Sequence, residues 1–561
     1  MQDRKHTLRF SVIILTLLII LFVFSIKLIL IQIFRSPQLA DLAQKQHHYF
    51  VEIEPVRGTI FDRNLRPMAF NVPVYSLYAN PKVMTEYEKG RAKNVLSDVL
   101  SLSPAYLEER FNRDKYFIWL KRKLSLEATE QIRRLDLKGL GLRRESERFY
   151  PNGSLAAHII GFTDTDNKGL EGLELSYDHF LKGKAGRMQV LRDARQTALQ
   201  VEQNFLPPRD GFNLVLTIDE TIQYVAERAL EKAYQKHNAK AGSIIVMDVR
   251  TGEIVALANL PTYHLDEAFK SDTENRTNRA VSHVYEPGSV FKVITAAAAL
   301  EEEIFVEDDK IFCENGQYRI ANHTLTDHRP HGILTFKEVL GVSSNIGVAK
   351  IAQKIGPQTI YEYGKRFRFG MPTGIDLRGE VSGWLKGPSE WSKTTIGAIP
   401  IGYEVTVTPL QLVCAISAIA NGGVYMRPFL VKYVKDNKNQ IIRSFEPQVV
   451  DRVISMDTSN RLNKILQEAV EKGTGKSAQI KGVLVAGKTG TARKVIDGKY
   501  SQGKYYASFM GFAPADHPRL AIVVVIDQPH PSYFGGTVSA PVFQEVMANA
   551  LKYLKVTEGE H

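Results

Sequence analysis

The chain has 561 residues, 44% of them hydrophobic and 24% charged, proportions that suit a globular protein of three or four units and exclude a disordered, collagen-like or polytopic membrane chain. A net charge of +11 is compatible with nucleic acid, anionic lipid or an anionic polymer, and does not choose among them. Two cysteines, Cys313 and Cys414, exclude a disulfide-stapled scaffold and a cysteine-rich metal centre, and free buried thiols are their expected state.

Arg4, Lys5 and Arg9 precede an uncharged run over 10–26, and apolar character resumes after Lys27 up to Phe34. As one helix, residues 10–34 reach about 37 Å, enough to cross a bilayer core of about 30 Å. The run exceeds a signal-peptide core and no Ala-x-Ala site follows it, so an uncleaved single-pass anchor is expected. The basic residues before it place 1–9 in the cytoplasm and the rest outside. Export removes nucleic acid from the partners to be considered. Lys27 either snorkels to the interface or faces a partner helix.

Residues 36–54 read as a juxtamembrane helix passing into an extended segment. From 56 to 205, short strands such as 74–78, helices at 89–102 and 126–135, and Gly-rich turns follow one another. Pro207-Pro208-Arg209-Asp210-Gly211 is a turn-rich seam. It marks the expected boundary between an elongated mixed α/β domain over 35–210 and a second domain over 211–555, with 556–561 as a tail. Beyond the seam, 213–218 alternates as a strand, 220–237 has helical periodicity, and 242–248 with 253–258 flank Arg250-Thr251-Gly252 as a hairpin. Residues 486–495, 507–512 and 520–527 read as consecutive strands, and a helix-rich stretch over 289–480 separates the two strand groups. Strands at both chain ends with helices between them predict an α/β (α+β) domain with a central antiparallel sheet flanked by helices.

The chemistry starts at Glu286-Pro287-Gly288-Ser289-Val290-Phe291-Lys292, followed by an alanine-rich apolar run over 293–300. Pro-Gly stops one element, and the run after it is a buried helix. Ser289 therefore sits at a helix N-terminus, with Lys292 one turn on and on the same face. A serine hydroxyl needs a base within hydrogen-bond reach. Lysine serves only when neutral, which takes about 4 kcal/mol of differential stabilisation against a reference pKa of about 10.4. The apolar helix supplies desolvation and its N-terminus supplies positive potential, and both disfavour the ammonium. Ser-x-x-Lys alone is weak, and Ser501-Gln502-Gly503-Lys504 also matches. That copy falls in a polar hairpin loop where nothing neutralises the lysine. Ser343-Ser344-Asn345 and Lys488-Thr489-Gly490-Thr491 follow the first copy in order. Singly, the former is a helix cap or turn and the latter a strand end. Together with Ser289 and Lys292 they form a strong set.

The same three motifs, with Asp in the middle of the second, mark penicillin-binding proteins and class A β-lactamases. Here the middle residue is Ser344, expected to point away from the site. Over nearly its whole length the chain resembles a class B penicillin-binding protein. Arg57-Gly58-Thr59-Ile60-Phe61-Asp62-Arg63-Asn64, Arg148-Phe149-Tyr150-Pro151 and Gly169-Leu170-Glu171-Gly172-Leu173-Glu174 are similar to the family's non-catalytic signatures. Arg57, Gly58, Asp62, Arg148, Pro151 and Glu171 are the expected pedestal residues. Asn278-Arg279-Ala280, Thr408-Pro409-Leu410-Gln411-Leu412 and Gly535-Gly536 with Ala540-Pro541-Val542-Phe543 also match. The segment 507–514 and the Gly-Leu-Glu-Gly-Leu-Glu motif are most similar to the cell-division branch, the FtsI or penicillin-binding protein 3 type. The elongation branch and a sporulation relative are the alternatives.

The resemblance implies a peptidoglycan D,D-transpeptidase of septal wall synthesis, with an anchor, a pedestal (dimerisation-type) domain and a penicillin-binding transpeptidase domain. In it Ser289 attacks the penultimate D-Ala carbonyl of a stem peptide, Lys292 is the base and Ser343 relays the proton. Asn345 binds the substrate amide, and Lys488, Thr489, Gly490 and Thr491 bind substrate, Lys488 supplying positive charge and the Thr489 and Thr491 hydroxyls holding the terminal carboxylate. Backbone N–H groups of Ser289 and Thr491 form the oxyanion hole. No cofactor and no metal are implied. The implied partners are stem peptides ending in D-Ala-D-Ala, β-lactams as covalent inhibitors, the membrane, a polytopic glycan polymerase and other division proteins. A serine β-lactamase of class A would carry its deacylating glutamate in a Glu-x-x-Leu-Asn segment, which this sequence lacks. A β-lactam sensor would have several spans, and a β-lactam-binding scaffold would have lost a catalytic residue.

Overall fold

The computed structural model describes residues 2–37, 48–192 and 198–556; much of the expected 36–54 helix and nearly all of the 556–561 tail lie outside them. Gln2–Ile29 is one α-helix prolonged by a π turn over Leu30–Phe34. Its apolar side chains are exposed along its length. Residues 6–34 are the one stretch among those described that is long and apolar enough to cross a membrane. The hydroxyls of Thr16 and Ser25 donate to the carbonyls of Val12 and Leu21, so these polar groups are satisfied within the helix.

The chain forms two compact units whose segments alternate in sequence: one takes 1–56, 74–145 and 183–210, the other 57–73, 146–182 and 211–561. The contiguous segment 35–210 is thus divided between them. In the first unit, helices Glu86–Leu100, Pro104–Phe111 and Leu126–Leu135 begin at Thr85, Ser103 and Ser125, whose hydroxyls each accept a backbone N–H of the first turn. Their apolar faces enclose Leu96, Leu107, Phe111 and Ile132 against Leu77 and Leu120. A three-stranded antiparallel sheet joins His48–Ile53, Gly186–Arg192 and Ala198–Leu206.

A buried ion network ties 57–73 to 146–182 within the second unit. Glu174 is fully buried. One of its oxygens accepts from Arg57 Nε and the other from Arg148 Nε, each at 2.6 Å. Arg57 also donates to Asp178 at 2.7 Å, and Arg148 to the Gly58 carbonyl at 2.8 Å. Gly58 is required by close approach, since a Cβ there would fall 1.9 Å from the Phe212 carbonyl oxygen. Asp62 accepts the N–H groups of Asn64 and Arg66 and shapes a turn, and Pro151, itself exposed, opens a turn that runs into the buried Leu155 and Ala156. Glu171 pairs outside this network, with Arg276 at 2.9 Å. Within the Gly169–Glu174 motif, then, Glu174 is the acid that organises the network.

Five strands of the second unit, β1 (Ala241–Asp248), β2 (Ile254–Leu260), β3 (Ala486–Ile496), β4 (Lys499–Ala513) and β5 (Leu520–Asp527), form one antiparallel sheet in the order β2-β1-β5-β4-β3. Its helices are α1 (Glu220–Lys236), α2 (Lys292–Glu301), α3 (Phe336–Val342), α4 (Asn345–Ile355), α5 (Pro409–Ala420), α6 (Met456–Glu471) and α7 (Ala540–Tyr553). Successive side chains of β1 and β5 point to opposite faces. Ile244, Val246, Ile522 and Val524 pack with Leu230 of α1 and Phe543 of α7. Ile245, Met247, Val523 and Val525 enter the larger core with α2, α5 and α6. Both faces are covered, so these strands read as unbroken apolar runs.

Asp497 and Gly498, at φ +51° and +74°, make the tight two-residue turn between β3 and β4. Ile496 pairs with Lys499 and Val495 with Tyr500 across it. The hairpin loop expected at 501–504 is therefore strand, because the Asp-Gly turn lets pairing start immediately after it. Cys313 and Cys414 are both buried and free.

Candidate active site

Ser289 lies on a one-turn 3-10 segment, Gly288–Val290, that leads directly into α2. The turn rests against β3, and two glycines permit this. A Cβ on Gly288 (φ +59°) would meet the Ala492 Cβ at 3.0 Å, and one on Gly490 would meet Ser508 Oγ at 2.2 Å and the Pro287 carbonyl oxygen at 3.1 Å. The Gly288 N–H donates to the Gly402 carbonyl at 3.0 Å. Ser289 is half-buried.

Lys292 is completely buried. Its Nζ donates to the Ser343 carbonyl and to Asn345 Oδ1, both at 2.7 Å, and lies 3.2 Å from Ser343 Oγ. Burial drives its ammonium well below the usual lysine range; the Lys488 charge adds to this and Asp327 opposes it. The carbonyl and the amide oxygen are pure acceptors and take two N–H bonds. A neutral amine then has one lone pair left for a hydroxyl proton.

Ser343 is the left-handed residue that ends α3, at φ +63°. Ser344 caps α4 and turns away from the lysines. Its hydroxyl donates to Asp327 Oδ2 at 2.6 Å and accepts the Gly347 N–H at 2.9 Å. The other oxygen of Asp327 accepts the N–H groups of Asn345 and Ile346. Asn345 Nδ2 donates to the Thr326 carbonyl at 2.9 Å, so both ends of this amide are held.

Lys488 is also buried, which pulls its ammonium down to about 7. Its Nζ donates to Ser343 Oγ at 2.9 Å, so that one hydroxyl joins the two lysines. Thr489 Oγ1 lies 2.7 Å from Thr474 Oγ1, and Thr491 Oγ1 accepts the Gly535 N–H at 3.2 Å. Within the sheet β3 pairs with β4 alone, Lys488 opposite Met510 and Thr491 opposite Ala507. It is an edge strand, able to take an added extended peptide.

The structure thus gathers Lys292, Ser343, Asn345 and Lys488 into one hydrogen-bonded cluster and lays Ser289 against the Lys488–Thr491 strand. The second Ser-x-x-Lys copy has none of this. Ser501 Oγ contacts only the Gln502 carbonyl, at 3.5 Å, and Lys504 is exposed. Asp327 and Thr474 escape sequence reasoning: each joins the cluster through tertiary contact, with no motif around it.

The family model for the penicillin binding protein transpeptidase domain matches residues 242–548, and that for the penicillin-binding protein dimerisation domain matches 52–216. The chain is 34% identical over 559 residues to stage V sporulation protein D of Bacillus subtilis, covering 96% of this chain and 84% of that one. It is 35% identical over 512 residues to the peptidoglycan D,D-transpeptidase FtsI of Escherichia coli, covering 90% and 85%. The solved structure of penicillin binding protein 3 from Mycobacterium tuberculosis complexed with aztreonam aligns with a TM-score of 0.69 at 27% identity, over 90% of this chain and 98% of that one.

Proposed function

The chain belongs to the class B penicillin-binding protein family, and we propose that it is a membrane-anchored peptidoglycan D,D-transpeptidase of septal wall synthesis, working through an acyl-enzyme on Ser289. The observation that carries the reading is the buried Lys292, whose two acceptor partners leave a lone pair for a hydroxyl proton. Lys292 takes the Ser289 proton as Oγ bonds to the carbonyl carbon of the penultimate D-Ala. The oxyanion rests on the backbone N–H groups of Ser289 and Thr491. On collapse the C–N bond breaks, Ser343 Oγ gives its proton to the departing D-Ala amine, and Lys292 returns the proton to Ser343. The amine of a second stem peptide then attacks the ester, loses its proton to the base, and Ser289 leaves with that proton.

Lys488, Thr489 and Thr491 hold the terminal carboxylate, whose arrival draws Lys488 back toward the ammonium form. Gly490 keeps the edge strand close to the nucleophile, and Asn345 orients the substrate amide. β-Lactams acylate the same serine. Basic residues before the span support a cytoplasmic 1–9, and a polytopic glycan polymerase is the membrane partner this reading implies. A second reading, wall synthesis in sporulation, is favoured by the likeness to stage V sporulation protein D. Septal localisation of a tagged copy in vegetative cells decides for division.

A fluorescent penicillin tests the site. It should label the purified full chain once, at Ser289, and Ser289→Ala should abolish the label. Label on Ser501, or label surviving the substitution, overturns the assignment.

A further inference from the structure

A shallow cavity of about 350 Å³ opens in the catalytic unit among Ser176, Tyr177, Phe180, Arg378, Arg443 and Phe445, and shares no residue with the cluster around Ser289. Its floor is aromatic. The Tyr177 and Phe445 rings meet edge to face at 6.0 Å, and His179 lies 4.1 Å from Phe180. Its charge is one-sided. Arg443 sits 4.8 Å over the Phe445 ring, and neither Arg443 nor Arg378 has a carboxylate partner among the described residues. The acid in the cavity, Asp376, is already committed: it accepts Tyr177 OH at 2.9 Å and the N–H groups of Leu430 and Val431 at 2.9 and 3.0 Å. Two guanidiniums without carboxylate partners and an imidazole around flat rings form a set of donors for an anion attached to a ring.

We propose that this cavity is a non-catalytic seat for an anionic sugar of the wall glycan, the aromatic floor packing against the C–H face of the ring while Arg378 and Arg443 hold its carboxylate or phosphate. The inference rests on the reading of the chain as a peptidoglycan transpeptidase. An acidic peptide would satisfy the arginines but leave the rings unused. A lactyl carboxylate is free only on a sugar that has lost its stem peptide, so the seat reads stripped sugars and keeps the stem peptides of neighbouring sugars at high local concentration near the enzyme.

The test uses the full chain in detergent, first acylated with penicillin so that the Ser289 site is closed. The probes are glycan strands stripped of stem peptides, the same strands with their lactyl carboxylates reduced to alcohols, a phosphodiester-linked hexose polymer, and oligoglutamate. Wild type should bind the stripped strands or the hexose-phosphate polymer. Arg378→Gln with Arg443→Gln should weaken that binding at least about tenfold, the value of one charged hydrogen bond, and Phe445→Ala should weaken it too. Loss of binding on carboxyl reduction identifies the carboxylate source, and binding to the hexose-phosphate polymer alone identifies the phosphate source. Variants that bind as wild type, oligoglutamate binding alone, or no binding of either sugar probe overturns the proposal. Penicillin labelling of the same samples reports separately on the catalytic reading, which these variants should leave unchanged.

Discussion

Two buried lysines that meet through one hydroxyl cannot be interchangeable. Lys292 is surrounded by fixed acceptors and held below the usual lysine range by burial, while Lys488, at about 7, lies at the open edge of the sheet. The base must be neutral, so acylation is lost on the acid side as Lys292 gains a proton. The carboxylate clamp must be charged, so acylation of a free enzyme also falls as pH rises through about 7 and Lys488 loses its proton. Second-order penicillin acylation rates measured across this range should give a bell. Lys488→Arg should keep acylation within about tenfold and remove the alkaline limb, because arginine stays charged. Lys292→Arg should cost about 10²–10⁴-fold, the usual worth of a general base, with the fold retained. Equal losses at both positions would overturn the assignment of the two roles. Sequence spacing was sufficient to pick out these residues because each motif is local. Asp327 was not legible: it acts on Ser344 and Asn345 from the preceding hairpin, and a lone Asp before His carries no signal.

At the level of elements, the site is built at the N-termini of α2 and α4 and on an edge strand. Asp327 fixes α4 by accepting two of its first N–H groups and the Ser344 hydroxyl. Asp327→Ala should therefore cost about 1–3 kcal/mol in stability and slow acylation by loosening Asn345 and Ser343, whereas Asp327→Asn should keep part of both. Thermal unfolding followed alongside penicillin labelling separates the two effects, and a variant that loses stability with no change in labelling would confine Asp327 to capping. Strand β5 was legible to the residue, since an apolar run of seven closed by Asp527 has few other fates. The first residues of β4 were not, because 499–504 are polar and join the strand only through the Asp497-Gly498 turn. Buried strands also lack the alternation that would have told their two faces apart.

On the scale of the whole molecule, the apolar span was legible because it is a one-dimensional property. Replacing 10–34 with an unrelated span should leave penicillin labelling of the purified chain intact while lowering cross-linking in cells. Lys27→Leu is the sharper probe: a charge at mid-span costs roughly 2.5–3.5 kcal/mol, so a partner helix that compensates it should be recovered less well on pull-down. Unchanged recovery with normal division would leave snorkelling. The alternation of the two compact units was not legible, because Arg57 reaches Glu174 across 117 residues and Ile60 pairs beside Leu214.

That alternation governs how the protein is made. A chain made from its N-terminus delivers Ile60, Ile159 and Leu173 well before the core partners they are buried with, so these early segments wait exposed until the last strands arrive. Contacts of such high sequence separation make for slow folding and a long interval of aggregation risk. A fragment beginning at Gly211 should consequently emerge insoluble and deaf to penicillin, while one that keeps 57–73 and 146–182 should fold, and soluble, penicillin-labelled material from the shorter fragment would show that the late segments nucleate alone.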